Sequence, residues 1–409
     1  QVAFPNWPNG TADCFVCHGD APNGDVENRP EAGACLGCHS DTDVRGGTNH
    51  LGGPAPDDTQ CALCHTPELL LAAHEDPRAA VDPGLTVSIV AVRGGSGPNG
   101  ALQPGDELTV EYTAVYDDGT PLDFVATPAA LSEVVLAGPS THFQQALVSA
   151  FGAVPAASVY DPVAGTFSFP LGAVPSVYPA QPNDTADLGV EHGDWVGLPL
   201  APGTYRLGMS IARSVTDGVT TWRVPASAWT DVLLGDATTL EPRAVIDEDA
   251  CLSCHQRVQF HGDNREGVGL CLTCHVDGAE DRYSTTDPTT TPGVTIALQA
   301  LLHRIHAGSE LTLPYTVNGF GSPYTAHTYE WLTFPRRDGG VADCAACHGG
   351  SDSWLAPSAR VCTSCHDSVE AAAHAAINTD PVFGETCDLC HATGASYAVD
   401  AVHTWGTPR

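Results

Sequence analysis

The sequence has no lysine, a single methionine and no apolar run long enough to cross a bilayer. Its 16 basic residues other than histidine are therefore all arginines. The chain has 49 acidic residues, so its formal net charge is -33. A chain of that charge repels nucleic acid and anionic membrane surfaces, so we expect neither as a partner. Since a membrane helix needs about 20 apolar residues, we expect no membrane span. With no cysteine at its N-terminus, we also expect no lipid anchor.

All 16 cysteines fall in eight copies of one pattern, Cys-x-x-Cys-His, and none is left over. Two thiols three positions apart can bond the two vinyl groups of one haem, and the next residue supplies an imidazole to the iron. A zinc ribbon or a redox Cys-x-x-Cys pair does not require that histidine. The sequence therefore predicts eight covalently attached haems c. The predicted thioether residues are Cys14, Cys17, Cys35, Cys38, Cys61, Cys64, Cys251, Cys254, Cys271, Cys274, Cys344, Cys347, Cys362, Cys365, Cys387 and Cys390. The predicted proximal iron ligands are His18, His39, His65, His255, His275, His348, His366 and His391.

Covalent haem attachment takes place outside the cytoplasm, and the sequence begins at Gln1 rather than at methionine. We therefore expect an exported protein, secreted or held at the cell surface, from which a signal peptide has been removed.

The spacing of the motifs predicts three domains. A three-haem module is expected over residues 1–80, a haem-free domain over 81–245 and a five-haem module over 246–409. The middle stretch alternates apolar and polar residues, as at Leu108, Val110 and Tyr112, between turn clusters rich in glycine and aspartate. This period of two favours an all-β, immunoglobulin-like sandwich. The fold class expected overall is a haem-cored multihaem cytochrome c, mostly irregular with short helices, in which that sandwich is inserted.

Three short helices are predicted in the haem modules. One follows Thr66, a typical N-cap residue, and runs to His74. The second is the apolar run from Val294 to Ile305, which carries His303 and ends before Gly308. The third covers about 367–378 and is rich in alanine.

The second axial ligands are predicted from what remains after the motifs are counted. Met209, the only methionine, lies in the haem-free domain, so histidine is the candidate ligand. Ten of the 18 histidines lie outside the motifs, and two of these, His142 and His192, lie in the haem-free domain and are expected at the surface or in its core. The other eight match the number of haems. The predicted distal ligands are His50, His74, His261, His303, His306, His327, His374 and His403.

Iron with two imidazoles exchanges electrons but has no open position for a substrate. An octahaem enzyme that reduces oxyanions would need such a position, so we regard it as a less favoured alternative to an electron carrier. The first module has three haems but only His50 and His74 as spare histidines. One of its irons therefore needs a ligand from far along the chain or from another copy. In the second case, copies would join head to tail into a filament.

The segments Phe260-His261-Gly262-Asp263-Asn264-Arg265 and Leu302-His303-Arg304-Ile305-His306, with the two motifs before them, resemble the OmcA/MtrC family of outer-membrane cytochromes. The resemblance covers roughly 85–409. It implies bis-histidine haems, a cell-surface location, and electron delivery to minerals, flavins or other cells. It supports His261, His303 and His306 as distal ligands. That family has ten haems and two β-domains, whereas this chain has eight motifs and one haem-free stretch.

We therefore expect extracellular electron transfer through eight low-potential haems. Copies of the chain polymerise into a conductive filament, or the chain acts as a single surface or periplasmic carrier and metal reductase. The expected partners are other copies, periplasmic or outer-membrane cytochromes, minerals and other extracellular acceptors. The β-domain is a spacer, an assembly element, or a docking module for minerals, glycans or a partner.

Overall fold

The computed structural model describes residues 30–36, 39, 41–74, 77–127, 129–180, 195–246, 248–252, 255, 257–281, 293–319, 325–332, 334, 340–349, 351–380 and 384–403. The chain divides into two compact units. One comprises Phe4–Asp82 and Asp249–Val258, and the other comprises Gln1–Ala3, Pro83–Glu248 and Gln259–Arg409. The boundaries at 80 and 245 that the motif spacing suggests remain a prediction.

Two four-stranded antiparallel sheets make up the haem-free domain. The first has the strand order β1-β2-β6-β5 and the second the order β4-β3-β7-β8. Their strands are β1 (Thr86–Arg93), β2 (Glu107–Val115), β3 (Ala129–Gly138), β4 (Gln144–Val148), β5 (Val159–Asp161), β6 (Thr166–Ala173), β7 (Gly203–Thr216) and β8 (Thr221–Leu234). A short helix, α4 (Ala153–Ala157), lies between β4 and β5.

The sandwich core follows the alternation of the sequence. On β2, Leu108, Val110 and Tyr112 are buried, and on β7 the same is true of Leu207 and Met209. The side chains between them on β2 are half-buried, as a sheet with one face on the core requires. The prediction of a β-rich domain in this stretch is confirmed.

The second sheet is buried on both faces. Residues 203–215 of β7 are buried at nearly every position. On β3, Val134 and Leu136 contact the sandwich core, whereas Ala137 packs with Phe143 and Val276 in a separate cluster. The outer face of this sheet is thus covered by residues that follow the Cys271 motif.

The remainder consists of short helices and two-stranded hairpins. The helices are α1 (Ala32–Cys35), α2 (Cys61–Cys64), α3 (Pro67–His74), α5 (Glu248–Leu252), α6 (Val268–Cys274), α7 (Leu298–Ala307), α8 (Ala345–His348), α9 (Ala359–Cys362), α10 (Val369–Ile377), α11 (Asp388–His391) and α12 (Val399–Val402). The hairpins pair β9 (Gln259–Phe260) with β10 (Arg265–Glu266), β11 (Thr316–Gly319) with β12 (Thr325–Thr328), and β13 (Thr379–Asp380) with β14 (Gly384–Glu385).

Two of the three predicted helices have nearly the expected bounds. Helix α3 follows Thr66 as predicted, and α10 begins after Ser368, whose hydroxyl accepts a hydrogen bond from the Ala371 amide. The helix predicted from Val294 was wrong at its start, because α7 begins at Leu298. The amides of Ile296 and Leu298 donate to the carbonyls of Ala279 and His275, so this apolar stretch is extended and tied to a neighbouring segment.

Within the described residues, none of the helices has the length and apolar character that a membrane crossing requires.

Candidate haem sites

Each described Cys-x-x-Cys-His motif closes one helical turn. The amide of the motif histidine donates to the carbonyl of the first cysteine in seven of the eight motifs, over 2.8–3.0 Å. Such an i to i-4 bond places residues four apart on one face of the turn, so the first cysteine and the histidine lie one above the other. This is the arrangement that one haem needs for a thioether and an axial imidazole from the same peptide. The eighth, Cys14-x-x-Cys17-His18, lies outside the described residues, as do Cys38 and Cys254.

Six predicted distal histidines each face a motif histidine. The centroids of the paired rings are 5.7–6.4 Å apart. The pairs are His74 with His39, His50 with His65, His261 with His275, His303 with His348, His403 with His366, and His374 with His391. Sequence counting predicted which histidines would serve as second ligands, but it did not predict this pairing.

The separation fits a metal ion between the rings. Imidazole nitrogen binds a metal at about 2 Å, so two nitrogens on opposite sides of one ion lie about 4 Å apart. The Nε2 atoms of His261 and His275 are 3.5 Å apart. The interplanar angle varies from 12° for His303 and His348 to 89° for His374 and His391. The separation is therefore common to all six pairs although the ring orientation is not.

Backbone carbonyls fix the tautomer of these rings. The Nδ1 atoms of His74, His303 and His403 each lie 2.6–3.0 Å from the carbonyl oxygen four residues earlier. On the motif side, Nδ1 of His275 contacts the Ile296 carbonyl and Nδ1 of His348 contacts the Val245 carbonyl. A carbonyl only accepts, so Nδ1 carries the proton and the Nε2 lone pair is left for a metal.

The surrounding protein favours the neutral form of the histidines of α7 and of the His261 pair. Desolvation lowers the pKa of His261 to about 4, with smaller contributions from His275 and Arg265. Desolvation also lowers the pKa of His303 and of His306. A neutral imidazole is the form that binds iron.

His306 and His327, the remaining predicted ligands, have different surroundings. His306 lies on α7 with its Nδ1 2.7 Å from the Leu302 carbonyl, the same hydrogen bond that His303 makes. Its ring contacts Phe334. His327 lies on β12 and is exposed. His142, which the sequence assigns to no iron, is half-exposed and has its Nδ1 3.6 Å from a carboxylate oxygen of Asp277. His192 lies outside the described residues.

Three consecutive motifs lie near one another in space in the last part of the chain. Burial raises the pKa of the Cys365 thiol to about 11, and the thiols of Cys344 and Cys362 add to that rise. Cys362 likewise contributes to the raised pKa of Cys387, after burial and Glu385. The Cys362 motif thus lies within electrostatic reach of the motifs on either side of it. An open groove of about 720 Å³ lies beside Cys387.

The haem-free domain supports one of these motifs directly. Gln145 of β4 donates to the Thr273 carbonyl of α6 over 3.3 Å. Glu133 of β3 forms a two-bond ion pair with Arg265, just before α6. Gly269 of α6 packs on the indole of Trp229, where a Cβ would overlap the ring. Sequence reasoning missed these residues, although Glu133 could have been noticed as a carboxylate within the largely apolar run Leu131–Leu136.

The motif turns and the facing imidazoles are the arrangement that several covalently attached haems would need. Residues 243–404 match the family model for domains II and IV of MtrC/MtrF-like outer-membrane cytochromes. This segment is thus similar to the OmcA/MtrC-type outer-membrane cytochromes, as its His-Gly and His-Arg-Ile-His segments indicated.

A crystal structure of MtrC from Shewanella baltica OS185 has a similar fold, with a TM-score of 0.51 and 17% sequence identity. The match covers 93% of this chain and 64% of the MtrC chain, so this chain spans less than two thirds of that protein's length. No curated protein matches this chain.

Proposed function

We propose that the chain is an octahaem c-type cytochrome that transfers electrons outside the cell. Eight Cys-x-x-Cys-His motifs attach the haems, and imidazole closes both axial positions of each iron. Bound haem iron supplies reversible one-electron exchange between its ferric and ferrous forms. The observation that carries the proposal is the six-fold repetition of one arrangement, a motif histidine facing a second histidine at a ring separation of about 6 Å.

The chain's own residues favour electron exchange over catalysis. Histidines on both sides of an iron leave no place for a substrate, so oxyanion reduction at iron is disfavoured. The carbonyls that contact Nδ1 of His74, His275, His303, His348 and His403 keep these imidazoles in the ligating tautomer and limit their rotation. The proximity of Cys365 to Cys344 and of Cys362 to Cys387 supports transfer between closely spaced haems.

The family match supports an outer-membrane or cell-surface location. The expected acceptors are minerals or other extracellular oxidants, and the expected donors are periplasmic or outer-membrane cytochromes. The excess of acidic residues argues for redox partners with basic docking surfaces.

We also propose that copies of the chain join through histidine ligation into a filament. The unit made of 4–82 and 249–258 contains four motif histidines but two spare ones, His50 and His74, which face His65 and His39. By count, two of the four motif histidines in this unit then need a second ligand from outside it. Since His327 is exposed on a hairpin edge, we assign to it the ligation of a neighbouring copy. The alternative is a single-chain carrier or metal reductase, in which both ligands come from the same chain.

Haem content and spin state test the first proposal. The purified protein should contain eight haems by the pyridine haemochrome assay, and its mass should exceed that of the polypeptide accordingly. Its ferric electron paramagnetic resonance spectrum should consist of low-spin signals. A bare polypeptide mass would refute haem binding, and a strong high-spin signal would favour the enzyme alternative.

Electron microscopy tests the second proposal. Filaments with one iron ligated across each subunit boundary are expected under native conditions. Dispersed single chains carrying eight low-spin haems would support the carrier instead.

A further inference from the structure

The ion pair between Glu133 and Arg265 joins the β-sandwich to the peptide that precedes a haem motif. The Nη2 atom of Arg265 lies 3.0 Å from Oε2 of Glu133, and its Nε contacts Oε1. The Glu133 side chain is 3% exposed and that of Arg265 is 18% exposed. The ring of Phe151 lies 5.7 Å from the guanidinium carbon. Two opposite charges are thus held in a place where water screens them weakly.

The pair belongs to the wall of one haem site. Arg265 starts β10, which pairs with β9, and His261 follows β9 directly. Helix α6, with Cys271 and Cys274, begins three residues after Arg265. The ring of His261 faces that of His275 at 5.7 Å. The two ligands and the two attachment points of this haem therefore come from the segments on either side of Arg265.

The guanidinium is electrically close to all four of these groups. Arg265 adds to the desolvation that lowers the pKa of both His261 and His275, and it partly offsets the desolvation that raises the pKa of Cys271 and Cys274. Glu133 acts in the opposite direction on Cys274.

We propose that the Glu133–Arg265 ion pair sets the redox potential of the haem attached at Cys271 and Cys274. The sandwich thereby supplies a charge to this haem site as well as a surface on which it packs. The inference rests on the proposed haem binding and assigns a role to two residues outside every haem motif.

The physical basis is the charge that iron gains on oxidation. A nearby guanidinium opposes that gain and raises the potential, whereas a nearby carboxylate favours it and lowers the potential. In the native pair the two effects partly cancel. Removing one partner leaves the other unbalanced in a poorly screened site, so the two single variants should shift the potential in opposite directions.

The test uses the full-length haem-loaded protein and three variants, Arg265→Gln, Glu133→Gln and the double variant. The exposed pair Arg93 and Glu111, which joins β1 and β2 in the other sheet, provides the matched controls Arg93→Gln and Glu111→Gln. Potentials are measured by redox titration monitored by electron paramagnetic resonance, at one pH for all variants. His261→Ala identifies the signal of this haem, because that variant loses it from the low-spin set.

The expected result is a negative shift of one haem for Arg265→Gln, a positive shift of the same haem for Glu133→Gln, and a return toward the native value in the double variant. The two controls should leave all potentials in place. Unmoved potentials, or a shift of the same sign in both single variants, would show that the pair only holds the segments together and would overturn the inference.

If one single variant loses this haem, the sign of the shift in the other single variant and the return in the double variant still test the inference. Failure of the proposed function is seen separately, because the wild-type protein would then contain no haem.

Discussion

At the scale of single residues, the motifs and their partners differ in how far sequence determines them. Covalent attachment requires two cysteines and a histidine in one short peptide, so the motif alone identifies them. The sequence position of the second histidine is not fixed by any such spacing. His403 faces His366 across 37 positions of sequence, whereas His50 faces His65 across 15. Counting could therefore predict the set of distal ligands but not the iron each one serves.

Removing a distal histidine should open one iron. His303 lies on α7 with its ring 6.2 Å from that of His348, and alanine is well tolerated in a helix. His303→Ala should convert about one eighth of the low-spin ferric signal to high spin, with the haem content and the circular dichroism spectrum unchanged.

The matched control is His142→Ala. His142 is half-exposed and faces no motif histidine among the described residues, so this variant should keep every low-spin signal. A wild-type spectrum from His303→Ala would show that His303 is not an iron ligand.

At the scale of elements, alternation predicted the sandwich well and the haem modules poorly. A strand that buries one face repeats every two residues, and β2 follows this pattern along its whole length. In contrast, α1, α2, α8, α9 and α11 are single turns of four residues, too short for any period to be read. Helix α7 begins late because Val294, Ile296 and Leu298 bond to Asp281, Ala279 and His275, contacts that only the tertiary structure reveals.

The contact between β8 and α6 should tolerate no added methyl group. A Cβ at Gly269 would overlap the Trp229 indole, and overpacking of this kind costs about 1–3 kcal/mol. Gly269→Ala should lower the melting temperature and the haem-to-protein ratio, since α6 carries Cys271 and Cys274. Thermal melts and the pyridine haemochrome assay measure both effects.

Gly33→Ala is the paired control, because Gly33 also lies two residues before the first cysteine of a motif, and no atom of the described part of the chain lies within 4 Å of its Cβ position. This variant should be neutral or slightly stabilising, as alanine favours a helix. Equal behaviour of the two variants would argue against a supporting contact at Trp229.

The sandwich core should lose stability at alkaline pH through its buried tyrosines. Desolvation raises the pKa of Tyr112 to about 12. The unfolded chain loses this proton near pH 10, so the contribution of Tyr112 to folding is full below pH 10 and is lost as the pH rises to about 12. Tyr112→Phe should therefore reduce the alkaline slope of the urea midpoint.

Tyr160→Phe, on the exposed edge strand β5, should leave that slope as in the wild type. The hydrogen bond of Tyr112 to Ser158 will be missing from Tyr112→Phe, but its loss lowers stability at every pH below the titration. An unchanged slope in Tyr112→Phe would mean that Tyr112 does not titrate with unfolding.

At the scale of the whole molecule, net charge and ligand supply act in opposite directions on assembly. A formal charge of -33 makes copies of the chain repel one another. The unit that contains His39 and His65 has more motif histidines than spare ones, which favours a ligand from outside it. Salt weakens the repulsion between copies, because the screening length falls from about 30 Å at 0.01 M to about 3 Å at 1 M. It leaves the ligation nearly unchanged, because a metal-ligand bond is far shorter than either length.

Assembly should therefore increase with ionic strength. Sedimentation at low salt should show single chains, and increasing sodium chloride should shift the population to filaments that electron microscopy detects. His327→Ala should stay dispersed at every salt concentration, since screening alone supplies no bond between copies, whereas His142→Ala should assemble as the wild type does. Filaments of His327→Ala would show that another group joins the subunits, and wild-type chains that stay single in high salt would favour the single-chain carrier, with its last two irons ligated from within.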